Sequence, residues 1–180
     1  MMIQFERPSS DEYDPYYATY ISLIEGTDVL AVLRQQHSRT NSWIKSLTAD
    51  QASIRYAPDK WSVKEVIGHL CDTERLFAYR ALCIARGESQ SLPGMDQDVY
   101  AGIADFDSRS VESLAAEYAA VRAATLTLLE NLDDEARVRS GVANGVEISV
   151  RAIAFVIAGH ETHHMALLRD RYLVNSRIEQ

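Results

Sequence analysis

SVKEVIGHLCDTERLFAYRALCIARG, residues 62–87, reads as one long helix, and the sequence specifies both of its ends. Ser62 and Glu65 form a capping box, because each side chain can accept a hydrogen bond from an otherwise unpaired backbone N–H of the first turn. Gly87, directly after Arg86, is a natural stop for a helix. The stretch therefore predicts one uninterrupted helix, around which the rest of the chain must pack.

Three further stretches show helical periodicity. The first covers 16–47 and is expected to break at Gly26, where Thr27 or Asp28 would cap the second piece. The second covers 110–132 and is rich in alanine and leucine, two strong helix formers. The third is the C-terminal stretch described next.

The last predicted helix covers 150–173, with Ser149 as its N-cap. Before it, residues 137–150 are predicted to form a small hairpin that turns at Asn144-Gly145, a favoured two-residue turn. Four long helices in one chain predict an all-α fold, a four-helix bundle with this hairpin before the last helix. In such bundles, sites form between facing helices.

Composition indicates one globular domain over residues 1–180. Apolar residues make up 47% and charged residues 24%, while four prolines and eight glycines leave no linker-like segment. The longest predicted connection, 88–108, is expected to be functional or to carry a short helix of its own. The net charge of −8 disfavours nucleic acid and anionic membranes as partners.

The N-terminal sequence and the cysteines predict a cytoplasmic protein. The N-terminal stretch MMIQFERPSSDEYD contains acidic residues and lacks the apolar core of a signal peptide, and no run of about 18 apolar residues could span a membrane. Cys71 and Cys83 lie three turns apart on one predicted helix, so they cannot form a disulfide. Unpaired cysteines fit a reducing compartment.

Three of the five histidines fall within AGHETHHM, residues 158–165. At about 100° per residue, His160 and His164 lie one turn apart inside the apolar stripe of the last helix, and His163 lies at its edge. A pair at this spacing can bind one metal ion through two imidazole nitrogens. The same pair is equally compatible with hydrogen-bonded core histidines.

A catalytic zinc site would need a third protein ligand and an open position. Helical phasing places His37 near the apolar stripe of its helix and His69 on the flank of its own, so geometry alone slightly favours His37. Glu74 and Glu161 are further options. The residues by themselves leave the third ligand open.

Two motifs together resemble the DinB/YfiT superfamily. KWSVKEVIGHLCDTERL, residues 60–76, is similar to the second-helix signature of that family, a Trp-Ser pair followed by Glu and then His-Leu. AGHETHHMALLRDRY, residues 158–172, is similar to its fourth-helix motif, H-x-x-x-H. The order and spacing of the segments match over nearly the whole chain, including FAYRALCIARG at 77–87 and PGMDQDVY at 93–100.

This resemblance implies a four-helix bundle, often a homodimer, with a divalent metal held by three histidines. Carried over by position, the ligands are His69 from the second helix and His160 and His164 from the fourth. His37 and His163 do not occupy ligand positions of the family. Zinc and nickel are the expected metals, although three imidazoles suit several transition ions.

The resemblance also suggests an activity. Characterised relatives include thiol-S-transferases that use bacillithiol and isomerases that use mycothiol, so the expected partner is a small-molecule substrate, a low-molecular-weight thiol. A metal-bound thiol loses its proton near neutral pH, and the thiolate is the nucleophile. Two alternatives stay open, namely a non-catalytic metal- or ligand-binding bundle associated with stress and a metal-dependent hydrolase.

Residues 160–164, HETHH, also match the H-E-x-x-H motif of zinc proteases. Only Glu179 lies far enough downstream to act as their third ligand, and no strand-rich region precedes the motif. The protease interpretation is therefore disfavoured. Glu161 is expected to be a polar residue near the site, and the roles of Glu161 and His163 are left open.

Thr73, Leu76 and Arg80 follow His69 along the same face of its helix and are the candidates for a substrate cleft, with the 88–108 connection as its cover. Arg80 could hold a substrate carboxylate through its guanidinium. The favoured interpretation is instead an ion pair with the acidic part of that connection, Asp96 and Asp98.

Overall fold

The computed structural model describes residues 5–172, and its architecture is that of a four-helix bundle with one two-stranded hairpin, as predicted. Two 3-10 turns, Pro15–Tyr17 and Phe106–Ser108, accompany the helices. The elements in chain order are α1 (Ala18–Ile21), α2 (Val29–Ser46), α3 (Ala49–Ala52), α4 (Val63–Ala85), α5 (Gln97–Ala104), α6 (Val111–Glu130), α7 (Asp134–Val138), β1 (Ser140–Ala143), β2 (Val146–Ser149) and α8 (Val150–Arg171).

The four long helices α2, α4, α6 and α8 pack in an order that differs from their order in the chain. Helix α4 packs against both α6 and α8, and α2 packs against the same two helices. Helices α2 and α4 therefore lie diagonally across the bundle. The order around the bundle is α2, α6, α4, α8, so the two helices that carry the candidate ligands are direct neighbours.

The predicted helix starts are present with their hydrogen bonds. Ser62 Oγ accepts from Glu65 N at 3.1 Å, and Glu65 Oε2 accepts from Ser62 N at 2.7 Å, which completes the capping box of α4. Ser149 Oγ accepts from Ala152 N at 3.1 Å at the start of α8. These caps satisfy backbone donors that have no partner inside a helix, so they fix where each helix begins.

The first predicted helical region is more broken than its periodicity suggested. Helix α1 is a single turn that ends at Ile21, and α2 begins only after Asp28, whose carboxylate accepts from Ala31 N. Gly26 lies between them with φ +72°. A left-handed residue cannot continue a helix, so the chain changes direction there. Helix α1 then packs against α8.

The hairpin and the long connection follow the predictions. Strands β1 and β2 pair antiparallel, and Asn144 (φ 54°) and Gly145 (φ 79°) form the two-residue turn between them. Both residues have positive φ, as the favoured hairpin turn requires. The 88–108 connection carries the short helix α5.

The apolar core is divided into two clusters by a polar layer. Along α4, the residues up to Cys71 belong to one cluster and those from Phe77 onward to the other. Along α8 the same division falls between Ala158 and Leu168. Thr73 and Glu74 of α4, and His160 and Glu161 of α8, are buried polar residues that lie in these gaps. Among the described helices, none is long and apolar enough to cross a membrane.

Candidate metal centre

Three histidine side chains meet where α4 and α8 pack together. His69 Nε2 lies 3.2 Å from His160 Nε2, and His164 Nε2 lies 3.1 Å from the same atom. One nitrogen from each of the three rings lies within 4.8 Å of the others, and this is the one group of potential metal ligands found in residues 5–172. His160 and His164 are i, i+4 neighbours, so both project from one side of α8.

Protons alone cannot satisfy this arrangement of nitrogens. A neutral imidazole nitrogen offers either one hydrogen or one lone pair, in one direction. His160 Nε2 can therefore form a hydrogen bond with His69 or with His164, but not with both. In the remaining contact, two N–H groups or two lone pairs would face each other in a buried place. A cation among the three nitrogens would accept all three lone pairs at once.

The surroundings keep the three rings neutral, which is the state that binds metals. Burial lowers the pKa of His69 to about 4. Burial, together with the neighbouring rings of His69 and His163, lowers the pKa of His164 to about 3. Burial and the adjacent rings also lower the pKa of His160. At neutral pH, each of the three rings therefore has one unprotonated nitrogen that can bind a metal.

The geometry fits one transition-metal ion. Two nitrogens 3.2 Å apart that each lie about 2.0–2.1 Å from an ion subtend an angle of roughly 100° there, close to tetrahedral. Thr73 Oγ1 lies 3.3 Å from Nδ1 and 3.5 Å from Nε2 of His69, so its hydroxyl lies beside the ligand ring. The residues present can therefore hold the divalent metal that the sequence predicts.

Gly68 precedes His69, and Gly159 precedes His160. Because a glycine has no side chain, another segment of the chain can pack closely against the helix at each of these positions. A Cβ on Gly68 would overlap the ring of Phe106, and one on Gly159 would overlap the backbone carbonyl of Tyr20. The ring of Tyr20 consequently lies against His160, with ring centroids 5.3 Å apart. Glycine inside a helix costs about 1 kcal/mol of stability relative to alanine. The two glycines therefore indicated, from the sequence alone, positions where another segment packs closely against the helix.

A buried charge network lies beside the histidines. Arg122 of α6, 1% exposed, donates from Nε and Nη2 to the two carboxylate oxygens of Glu74, at 2.8 Å each. Its Nη2 also lies 2.6 Å from Glu161 Oε2. Tyr118 and Thr40 donate to Glu161 as well, at 2.8 and 2.7 Å. The network joins all four long helices at the level of the polar layer.

The network shows where Glu74 and Glu161 lie, two carboxylates whose roles the sequence analysis did not decide. Glu74 is buried and paired with Arg122, so it is neither a surface charge nor an acceptor for a ligand imidazole. Both oxygens of Glu161 accept hydrogen bonds within the network, so Glu161 does not point at the histidines as the base of a zinc protease would. Sequence reasoning missed Arg122. Its spacing of four residues from the buried Tyr118 places it in the apolar stripe of α6, and that was the available signal.

The histidine cluster borders a cavity of about 280 Å³. Its wall comes from α4, from the N-terminal tyrosines and from the 88–108 connection, so that connection covers the cavity. The lining residues are Tyr16, Tyr17, Tyr20, His69, Thr73, Leu76, Phe77, Arg80, Met95, Gln97, Asn144 and His160. The structure thus brings Thr73, Leu76 and Arg80 together with two of the candidate ligands.

Two other candidate histidines lie outside the cluster, and one expected ion pair is absent from the described residues. His37 stands against the ring of Tyr118, with centroids 6.5 Å apart, and does not reach the cluster, so phasing pointed to the wrong helix. His163 is exposed and its ring packs against Tyr20. The expected pair between Arg80 and the acidic connection is wrong, because the Asp96 carboxylate caps α5 and Arg80 donates to the carbonyl oxygen of Pro93 at 2.6 Å.

Comparison with known families identifies the superfamily of this chain. The sequence profile of the DinB superfamily matches residues 32–168. The chain belongs to the DinB superfamily. The match spans α2 to most of α8, and so includes all three histidines of the cluster.

Individual DinB-type proteins give the same fold. YfiT from Bacillus subtilis, described as "a probable metal-dependent hydrolase with an unusual four-helix bundle topology", superposes with a TM-score of 0.71 at 17% identity, over 92% of this chain and 91% of that one. The DinB-like protein YjoA of Bacillus subtilis superposes with a TM-score of 0.58 at 20% identity, over 84% and 94%. Both likenesses concern the fold.

A curated relative is found by sequence as well. A protein of Oceanobacillus iheyensis named "Putative metal-dependent hydrolase" is 27% identical over 154 residues, which are 83% of this chain and 88% of that protein. This member of the superfamily is therefore similar along most of its length to a protein named for metal-dependent chemistry.

Proposed function

We propose that this DinB-type protein is a metal-dependent enzyme that binds one divalent ion, zinc or nickel, through His69, His160 and His164 and acts on a low-molecular-weight thiol. The observation that carries the proposal is the convergence of three neutral imidazoles beside a cavity: His69 Nε2 and His164 Nε2 lie 3.2 and 3.1 Å from His160 Nε2, and His69 and His160 line the cavity. A purely structural metal site would be closed by a fourth protein ligand. Among residues 5–172, no fourth His, Cys, Asp or Glu joins the cluster.

The donor set suits activation of a thiol. Three neutral ligands leave the full charge of a divalent ion uncompensated, and such an ion favours the thiolate form of a bound thiol. The protein's own part is to keep the three rings neutral, to place the Thr73 hydroxyl beside His69, and to surround the cavity with aromatic side chains. Tyr16, Tyr17 and Tyr20 supply the N-terminal part of that lining.

The cavity wall favours a nucleophile that needs no protein base. No aspartate or glutamate is among the described residues that line it. The nearby carboxylates of Glu74 and Glu161 are both held by Arg122. A thiol that the ion alone deprotonates does not require a general base, whereas many hydrolytic mechanisms use one.

Hydrolysis is the second candidate, because the names of YfiT and of the Oceanobacillus relative both refer to metal-dependent hydrolases. A three-histidine zinc site lowers the pKa of bound water to about 7 in some enzymes, so the same donor set suits this chemistry. A bundle that binds metal without turnover is the third alternative.

Metal analysis of the purified protein and of four single variants tests the metal site. We expect about one transition metal per chain in the wild type. His69→Ala, His160→Ala and His164→Ala should each lose it, while His163→Ala, which removes an exposed ring next to the cluster, should retain it. Equal metal content in all five proteins would disprove the assignment.

Activity assays then separate the candidate functions. The zinc- and nickel-loaded proteins are incubated with a panel of small thiols plus an electrophilic acceptor, and in parallel with ester and amide substrates. Thiol conjugation that disappears in His160→Ala supports the leading proposal. Hydrolysis without thiol supports the second candidate. Full metal loading with neither activity favours the binding bundle.

A further inference from the structure

Arg80 is a buried cation without a negative partner. Its side chain is 4% exposed, and among residues 5–172 it forms no ion pair. One hydrogen bond runs from Nη2 to the carbonyl oxygen of Pro93 at 2.6 Å, and the guanidinium lies over the ring of Phe77, 5.3 Å from its centroid. The Nε atom is buried and has no hydrogen-bond partner.

A guanidinium in this situation is costly unless something pairs with it. Removing a charged group from water costs several kcal/mol when no opposite charge is supplied. The other deeply buried arginine of the bundle, Arg122, is compensated by two carboxylates. Burial lowers the pKa of Arg80, and the nearby Tyr17 phenol only partly offsets this effect. Arg80 therefore differs from Arg122 in lacking the compensation that a structural role requires.

The cavity as a whole is electropositive in an acidic protein. Arg80 is the one formally charged side chain among the described residues that line it, because the histidines are neutral. The chain carries a net charge of −8, yet no carboxylate of residues 5–172 lines this wall. A divalent ion on the histidines would add to the positive potential. Such a cavity attracts an anionic ligand.

We propose that Arg80 binds a carboxylate of the substrate, so that the substrate class is a small carboxylic acid with a metal-binding group at its other end. This inference rests on the proposed function for the metal-binding end. It goes further by assigning the second point of attachment. Arg80 lines the cavity, and with one N–H bonded to Pro93 and a buried Nε that has no partner its guanidinium has donors left for a carboxylate.

A carboxylate fits better than a phosphate ester. One guanidinium balances the single negative charge of a carboxylate, whereas a phosphate group carries up to two charges and three acceptor oxygens. No lysine and no second arginine lines the cavity among the residues described.

Helix geometry limits the length of the substrate. His69 and Arg80 are eleven residues apart on α4, which corresponds to a rise of about 16 Å. Side chains on a helix lean towards its N-terminus, so the guanidinium lies closer to the histidines than this rise. The carboxylate and the metal-binding atom of the substrate should therefore be separated by less than about 16 Å.

Matched pairs of ligands test the inference on zinc-loaded protein. The probes are ω-mercaptoalkanoic acids of increasing chain length, each compared by calorimetry with the mercaptoalcohol of equal length. We expect the wild type to prefer the acid by about 10- to 100-fold at the best length, as hydrogen bonds to charged groups allow. Arg80→Met should bind the two within about twofold, with the affinity for the alcohol unchanged.

Two further variants serve as controls. Arg75→Met removes an arginine of the same helix that is half exposed and outside the cavity, and it should keep the preference for the acid. Arg80→Lys keeps the cation but not the planar donor group, and it should show a reduced preference. Thermal unfolding of each variant establishes that it is folded. A ratio near one in the wild type at every length would overturn the inference.

Metal-free protein separates this inference from the proposed function. Succinate, which has no thiol, is titrated into the metal-free wild type and into Arg80→Met. Weak binding that the variant loses supports the carboxylate site even if no thiol binds to the zinc-loaded protein, in which case the proposed function fails alone. Equal succinate binding by both proteins, or none by either, counts against Arg80.

Discussion

Arg122 Nη2 donates a hydrogen bond of 2.6 Å to Glu161 Oε2, and Glu161 directly follows His160 along α8. The same guanidinium holds Glu74 of α4, five residues beyond His69. Arg122 therefore connects the two helices that carry the histidines, and it does so from a third helix. The positions of His69 and His160 relative to each other depend on a residue that touches neither ring.

Replacing Arg122 by Met should destabilise the fold strongly. The substitution leaves Glu74 and Glu161 buried without a cation, and breaking a buried ion pair in this way costs about 3–5 kcal/mol. The free energy of unfolding in urea at pH 7 measures the loss. Metal affinity should fall as well, because α4 and α8 are no longer fixed at the level of the site.

Two comparisons establish the cause of that loss. Arg34→Met removes an arginine from an exposed pair with Glu130 and should cost less than about 1 kcal/mol. Adding Glu161→Gln to Arg122→Met removes one uncompensated carboxylate and should recover part of the stability. A loss at Arg122 as small as that at Arg34 would show that the network contributes little.

The features that the sequence predicted correctly are local ones. Ser62 with Glu65, Ser149, and the Asn144-Gly145 turn each act through backbone atoms within a few residues, so a short window of sequence contains the whole interaction. Family resemblance supplied the grouping of His69 with the last helix, which phasing alone had not favoured.

The features that it did not predict depend on contacts between distant segments. Arg122 and Glu161 are 39 residues apart, and nothing in either helix alone shows that they meet. The expected pair of Arg80 with Asp96 failed for a local reason, since Asp96 had a nearer use as the cap of α5. Helix caps were therefore predicted correctly from the sequence, whereas ion pairs between distant segments were not.

Gly159→Ala should disturb the candidate site through the backbone. The added methyl group would overlap the carbonyl oxygen of Tyr20, so α1 must move away from α8 and the Tyr20 ring away from His160. Overpacking of this kind costs about 1–3 kcal/mol. Thermal unfolding and metal affinity should both decrease.

Gly102→Ala is the matched control for that substitution. Gly102 lies in α5, and a Cβ there meets nothing within 4 Å. Alanine is the better helix former, so this variant should be as stable as the wild type or more stable by up to about 1 kcal/mol. If Gly159→Ala behaved in the same way, the close approach of α1 to α8 would not matter for stability.

Removal of the metal should leave the bundle folded. The two apolar clusters contain no candidate ligand, and a chain of 180 residues buries enough core to fold without a metal. Far-UV circular dichroism should be unchanged by a chelator. The melting temperature should fall by roughly 5–10 °C, because an ion at a hundred times its Kd contributes about 2.7 kcal/mol.

The change in melting temperature on adding metal shows whether the histidine cluster is the site that stabilises the protein. His160→Ala should melt at the same temperature with and without metal, whereas His163→Ala should respond as the wild type does. Loss of the helical signal on chelation would contradict the prediction and indicate a structural metal.

The metal-free protein should lose stability as the pH falls from 7 to 5. Burial lowers the pKa of His69 to about 4, while an unfolded histidine has a pKa near 6.5. Between these values the unfolded chain binds a proton that the folded protein excludes, so acid favours unfolding. The contribution is complete above pH 6.5, and at pH 5 the loss from His69 is on the order of 2 kcal/mol. His164, whose pKa burial lowers to about 3, acts in the same direction.

Urea unfolding of the metal-free protein gives the free energy of unfolding at pH 7 and at pH 5. The difference between the two values is compared among variants, because any cost of a substitution that does not depend on pH cancels in it. His69→Gln should show a smaller difference between the two pH values than the wild type. His163→Gln, which removes an exposed ring, should keep the difference of the wild type. The range ends at pH 5 because Glu12, whose pKa is held at about 2 by Arg151 and neighbouring donors despite its burial, begins to contribute below it. Stability that did not change between pH 7 and 5 would mean that the three rings accept protons in the folded protein, and the buried, neutral cluster would then be the wrong description of the metal-free site.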